Sequence, residues 1–245
     1  MGVDLSAEPA GTAVAVLDWD ARGPVAASVV RGATDAQVLA ALSGPDRAAV
    51  DCPMGWPEPF VEFLMAHRAG HVVAPIGPSG LDWRRTLSRR ATDFACFDGT
   101  GVTPLSVAAD RIAAVAMRGA GLLGALAEQG RPVDRAGGGL LVETYPAAAL
   151  VTWGLPYRRY KRAGNVAALG ELVTELQDKL PGLRLGDAEA LCRRSDDAFD
   201  AVVCALIARA AALGLAAAPP PGLAAVAARE GWIVLPTTGL DRLAG

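Results

Sequence analysis

Three short apolar runs open the chain, and the first of them contains an acid. Val3–Leu5, Thr12–Leu17 and Val25–Val30 are each of strand length, and only short connections through Gly11 and Arg22-Gly23-Pro24 separate them. Two tight connections between three strand-like runs predict an antiparallel meander. Asp4 sits inside the first run. A carboxylate in an apolar strand is costly unless hydrogen bonds satisfy it or a cation neutralises it. The remainder of the fold must therefore bring a partner to Asp4.

The later elements read in order. Thr34 caps a helix predicted over Asp35–Leu42, which stops at Ser43-Gly44-Pro45. Ala48–Cys52 is a fourth apolar run and carries Asp51. Helical spacing returns over Pro59–Ala69. Val72–Gly80 is rich in Pro and Gly and reads as irregular, and Leu81–Asp98 reads as a polar, basic stretch. Val107–Gln129 has helical spacing, and Leu140–Glu143 is a fifth strand-like run behind three glycines. Helices are predicted over Ala147–Trp153, Val166–Leu180, Asp187–Cys192 and, behind a Ser195 cap, Asp196–Leu215. Pro219-Pro220-Pro221 ends the last of these, and Gly222–Arg229 with Trp232–Leu235 forms a terminal tail. The order β-β-β-α-β-α, then helices, a strand and a long final helix, predicts an α/β domain with a mixed sheet flanked by helices. With no clear linker, residues 1–245 read as one domain with an insertion at about 75–135.

Composition narrows the function classes. A net charge of -3 argues against a protein that coats nucleic acid over its whole surface, but leaves room for a local basic patch. The four cysteines, Cys52, Cys96, Cys192 and Cys204, show no C-x-x-C spacing and sit in apolar surroundings. They read as reduced core thiols of a cytoplasmic protein. The first residues lack the basic-then-apolar pattern of a signal peptide. The longest apolar run, Ala201–Pro219, is interrupted by Arg209 and reads as a buried helix, not a membrane span.

Acids stand at the ends of several elements. Asp4 is on the first run, Asp51 ends the fourth, and Glu143 ends the fifth. Asp197 and Asp200 lie about one turn apart at the start of the last helix, hence on one face. Strands that end together, with a helix start docked beside them, can gather such side chains. Divalent cations would then have to relieve their repulsion, and an oxygen-only donor set suits Mg²⁺ or Mn²⁺. The same residues admit a plainer reading: Asp196 and Asp197 favour any helix N-terminus, and Asp51 can cap the segment after it.

Several stretches together resemble domain-of-unknown-function family 429, a family of predicted nucleases with a ribonuclease H-like fold. They are Gly2-Val3-Asp4-Leu5-Ser6, Val50-Asp51-Cys52-Pro53-Met54-Gly55, Arg90-Ala91-Thr92-Asp93, Glu143-Thr144-Tyr145-Pro146, Tyr160-Lys161, Asp197-Ala198-Phe199-Asp200-Ala201 and Glu230-Gly231-Trp232-Ile233. The Asp197-x-x-Asp200-Ala pattern is also similar to the last-helix motif of RuvC-type Holliday-junction resolvases, where it supplies metal ligands. The resemblance implies a metal-dependent nuclease with Asp4, Asp51 and Asp200 as ligands of Mg²⁺ or Mn²⁺. Asp197 and Glu143 stand next to them as catalytic candidates. Asp51 departs from the family pattern in preceding Cys-Pro. Actin-like ATPases and sugar kinases also begin with an Asp-bearing strand and a hairpin, but their phosphate loops are richer in Gly and Thr than Leu5-Ser6-Ala7-Glu8. A non-catalytic binding module on the same fold is the third reading.

Two basic segments would flank such a site. Arg84, Arg85, Arg89 and Arg90 precede Thr92 and Asp93, and Tyr157-Arg158-Arg159-Tyr160-Lys161-Arg162 interleaves aromatics with cations. Arg can fork onto phosphates and Tyr can stack on bases. Arg89, Arg90, Asp93, Arg158, Arg159, Tyr160 and Lys161 are therefore the candidate nucleic-acid contacts, beside the alternative that both segments are solvated loops. Nothing in these segments separates DNA from RNA or fixes an oligomeric state. His67 and His71 have the i, i+4 spacing of helical zinc ligands, but no Glu at position 68 accompanies them and Gly70 interrupts the helix.

Overall fold

A computed structural model describes residues 1–75 and 78–244. Its centre is a five-stranded mixed sheet: β1 (Gly2–Asp4), β2 (Ala13–Asp20), β3 (Gly23–Arg31), β4 (Ala48–Asp51) and β5 (Leu141–Glu143). The strand order is β3-β2-β1-β4-β5. β1, β2 and β3 form the expected antiparallel meander, and β4 and β5 extend it in parallel. The helices are α1 (Asp35–Ala41), α2 (Glu58–Arg68), α3 (Pro78–Ser88), α4 (Ala91–Thr100), α5 (Ile112–Glu128), α6 (Pro146–Thr152), α7 (Val166–Lys179), α8 (Glu189–Cys192), α9 (Asp196–Ala212) and α10 (Ala224–Glu230). Among the described residues no helix is long and apolar enough to cross a membrane.

The two faces of the sheet arise from strand periodicity. Val3, Val14, Val50 and Leu141 pack with Val38 and Leu42 of α1 and its C-terminal end and with Val115, Leu122 and Leu126 of α5. The alternate residues on the other face are small. Ala13 and Ala15 meet α9 and α7, while Ala49 and Val142 meet Cys204 and Ala208 of α9. Small side chains on both partners let the backbones approach closely. Gly2 marks the closest approach, because a Cβ there would overlap the Ala201 carbonyl oxygen and the Ala205 amide nitrogen of α9. Ser195 caps α9, its side chain accepting from the Ala198 N–H at 3.3 Å. Phe199, Val202, Val203, Leu206 and Ile207 are all buried, and each contributes about 1.5–3 kcal/mol.

The region around residues 75–135 differs most from the sequence reading. Leu81–Asp98, expected as a polar stretch, forms most of α3 and α4, separated at Arg89 and Arg90. The expectation of an irregular Val72–Gly80 falls partly on residues 76 and 77, which lie outside the described residues; α3 already begins at Pro78. α5 packs into the core through Val115, Leu122 and Leu126. The tail Trp232–Leu235 runs beside β5, with Val234 N–H donating to the Glu143 carbonyl at 2.8 Å. The interlock of Gly2 with α9 predicts that Gly2→Ala destabilises the fold by about 1–3 kcal/mol, since neither backbone can move aside without opening the core. Urea denaturation followed by circular dichroism measures this.

Candidate functional site

The register between β1 and β4 aligns Asp4 directly with Asp51. Aligned residues on neighbouring strands, about 4.8 Å apart, point to the same face of a sheet. For this pair the face is that of Gly2 and Ala49, against which α9 lies. α9 brings Asp200 to the same end, one turn inside its N-terminus. Three carboxylates from three separate stretches thus approach one another.

Their environments differ sharply. Asp200 is buried, accepts the Tyr160 hydroxyl at 2.8 Å, and pairs with the Lys161 ammonium at 2.6 Å. Among the described residues, no hydrogen bond or ion pair reaches the side chain of Asp4 or Asp51. Burial, then the charges of Asp200 and Asp51, push the Asp4 carboxyl well above the usual range. Burial pushes Asp51 up to about 7, with Lys161 opposing the shift and Asp200 and Glu143 adding to it. Partial burial disfavours the charge of Lys161, but Asp200, Tyr160, Asp51 and Asp4 reverse this and hold its pKa well above the ordinary lysine value. The site is an under-neutralised carboxylate cluster with one built-in cation.

Glu143 does not join it. Glu143 aligns with Val50, not Asp51, so the two-residue period of the strand turns its side chain to the opposite face. There it meets Arg90 in a two-pronged pair at 2.7 and 2.9 Å and accepts the Met54 N–H at 2.8 Å. Arg90 is buried as well. It binds Asp93 at 2.9 Å and donates to the Glu230 carbonyl at 3.1 Å. Burial works against its charge, and Glu143 and Asp93 more than restore it. Asp197 pairs with Arg31 at 2.6 Å, although its charge still reaches Asp4. Of the five catalytic candidates, Asp4, Asp51 and Asp200 come together, while Glu143 and Asp197 are held by arginines.

The expected nucleic-acid contacts also divide. Arg90 and Asp93 belong to the buried pair and are not available to a phosphate. Tyr160 is buried with its ring edge-on to Phe199, so it is no stacking platform. Arg89 holds the loop after α4 by donating to the Pro104 carbonyl at 2.9 Å. Arg158 and Arg159 are exposed. Together with Lys161, Arg111, Tyr145 and Asp51 they line a cleft of about 580 Å³ over the ends of β4 and β5. This is a cation-rimmed opening with one carboxylate of the cluster in its wall.

Two positioning residues escaped the sequence reading. Glu230 is buried and accepts the N–H groups of Glu58 and Ala91, both at 2.8 Å, which ties the first turns of α2 and α4 together. Its signal was present in the Glu230-Gly231 pair. Gly231 has φ of 88°, and a Cβ there would stand 2.6 Å from the Glu143 carboxylate. Arg118 fixes the turn after Asp4, donating to the Ser6 carbonyl at 2.7 Å and the Thr12 hydroxyl at 2.6 Å. It lies in a helix whose apolar spacing alone gave no hint of this role.

The family model described as "Protein of unknown function (DUF429)" matches residues 2–224. The chain belongs to the DUF429 family. No match is found among curated proteins or among solved structures. The DUF429 match spans all five strands, α9 and every member of the carboxylate cluster.

This geometry fixes the sign of two substitutions. Arg90→Met leaves Glu143 and Asp93 buried without a counter-charge, and is expected to cost about 3–5 kcal/mol in urea denaturation. Asp51→Asn has the opposite sign. The folded pKa of Asp51, about 7, lies above its ordinary value of 3.8. The associated stability is therefore present at low pH and lost as pH rises through about 7. In EDTA at pH 8, Asp51→Asn should raise stability by about 1–2 kcal/mol, with the gain fading toward pH 4; calorimetry across pH reads it.

Proposed function

We propose that this DUF429 protein is a divalent-metal-dependent nuclease of ribonuclease H-like architecture that hydrolyses phosphodiester bonds. The observation that carries the reading is the pair Asp4 and Asp51: adjacent, aligned, without a hydrogen-bond or ion-pair partner among the described residues, and raised in pKa by burial and by neighbouring carboxylates, Asp200 above all. Two such carboxylates call for a cation. The antiparallel meander continued by parallel strands also agrees with the sheet that the family resemblance implies.

The donor set matches such a cation in its chemistry. Asp4, Asp51 and Asp200 offer hard oxygen ligands only, which suits Mg²⁺ or Mn²⁺ and disfavours softer metals. Among the described residues, no three or more His, Cys, Asp and Glu side chains already stand in a ligating arrangement. The Lys161 ammonium engages the third carboxylate, Asp200. Asp4, Asp51 and Asp200 are the residues that would hold the ion. When bound, such an ion activates water and stabilises the leaving oxygen at phosphorus.

The remaining roles fall to the chain itself. Arg158 and Arg159 at the cleft rim bind the phosphate backbone, since guanidinium groups pair with phosphate oxygens through two parallel hydrogen bonds. The Tyr160 hydroxyl fixes the orientation of Asp200. The Arg90–Glu143 pair holds the strand ends at the cleft, and Glu230 ties the starts of α2 and α4 together behind it. The substrate is nucleic acid, DNA or RNA. Asp4→Asn is expected to lower Mn²⁺- or Mg²⁺-dependent cleavage of oligonucleotides by at least about a hundredfold, with native circular dichroism and melting. Cleavage by Asp4→Asn at the wild-type rate would overturn the reading.

A further inference from the structure

Lys161 is the one cation placed directly on the carboxylate cluster among the described residues, and its placement carries a second role. Its Nζ lies 2.6 Å from an Asp200 oxygen, and Asp4 and Asp51 add to the pull on its charge. Yet the side chain is 45% exposed, against 1% for Asp200. It also lines the cation-rimmed cleft together with Arg158 and Arg159. The ammonium therefore has two places to go: inward to Asp200 or outward into the cleft.

The backbone holds it at that boundary. Arg159 and Arg162 flank the Tyr160-Lys161 pair with φ of 61° and 80°, a left-handed conformation that non-glycine residues adopt at a cost of about 1–3 kcal/mol each. The loop sends Tyr160 into the core, where its hydroxyl grips Asp200, and leaves the neighbouring Lys161 at the cleft wall. Asp200 thus keeps one fixed partner, Tyr160, if the other departs.

Resting on the metal-dependent reading above, we infer that Lys161 is an exchangeable internal cation. In the ion-free protein its ammonium neutralises the cluster through Asp200. A divalent ion held by Asp4, Asp51 and Asp200 would compete with the ammonium for that carboxylate and repel it, and Lys161 would then turn into the cleft. There it becomes a phosphate ligand beside Arg158 and Arg159. The same side chain then both weakens ion binding and, once displaced, strengthens substrate binding. Ion and nucleic acid consequently bind with positive coupling, because each draws Lys161 away from Asp200.

The test needs no turnover. Mn²⁺ affinity is measured at pH 8 by electron paramagnetic resonance on the full chain, for wild type, Lys161→Met and Lys161→Arg. Removing the competing charge in Lys161→Met is expected to tighten Mn²⁺ roughly tenfold or more, whereas Lys161→Arg stays close to wild type. In Ca²⁺, Lys161→Met should bind a fluorescent oligonucleotide several-fold more weakly than wild type. If Lys161→Met fails to fold, Lys161→Gln, which keeps a polar group beside Asp200, takes its place. Unchanged or weaker Mn²⁺ binding in the truncated variant overturns the exchange. Absence of Mn²⁺ binding in wild type and variant alike overturns instead the metal-dependent reading on which it rests.

Discussion

The buried guanidinium of Arg90 ties together stretches that lie far apart in the chain. It meets Glu143 at the end of β5, Asp93 in the first turn of α4, and the backbone of Glu230 at the end of α10. A charge without water needs every donor satisfied, and here carboxylates and carbonyl take them up. Glu230 extends the network by accepting the first N–H groups of α2 and α4. The end of β5 and the starts of α2 and α4 are thus positioned by ionic and charged hydrogen-bond contacts and not by apolar packing alone. Gly231 completes the arrangement, because any side chain there would push into the Glu143 carboxylate.

Against this rigid frame the carboxylate cluster is left short of positive charge. Three acids face one ammonium, and two of the three have no partner among the described residues. Such an arrangement lowers stability, because buried like charges repel. The contrast with Glu143 is instructive. It lies near the cluster but on the opposite face, and Arg90 and the Met54 N–H offset much of the cost of burying its charge. One residue of strand register separates an acid that is paired with an arginine from one that has no partner among the described residues.

Much of the fold was legible in the sequence. Alternating apolar runs with short turns announced the meander, and the Thr34 and Ser195 caps placed the starts of α1 and α9. Acids at element ends pointed to five residues, Asp4, Asp51, Glu143, Asp197 and Asp200, and the family resemblance singled out Asp4, Asp51 and Asp200. α3 and the start of α4 were hidden because they carry many charges and leave Phe94 and Phe97 exposed, so the apolar stripe that betrays a helix is missing. The alternation within Tyr157–Arg162 was also hidden. Tyr160 turns inward while Arg158 and Arg159 turn outward, a choice made by two left-handed residues with no sequence signature. Arg90 illustrates the deeper obstacle. A basic residue in a basic stretch reads as surface, and only tertiary pairing makes it core.

The alignment of Asp4 with Asp51 carries a consequence for the length of the chain. Both acids sit on the last residue of their strands, and both share a face only while β1 and β4 keep their present register. Side chains alternate with every residue, so losing or gaining one residue within either strand would send one carboxylate into the apolar layer beneath α1 and α5. A single-residue insertion or deletion in β1 or β4 therefore breaks the pairing of the two acids.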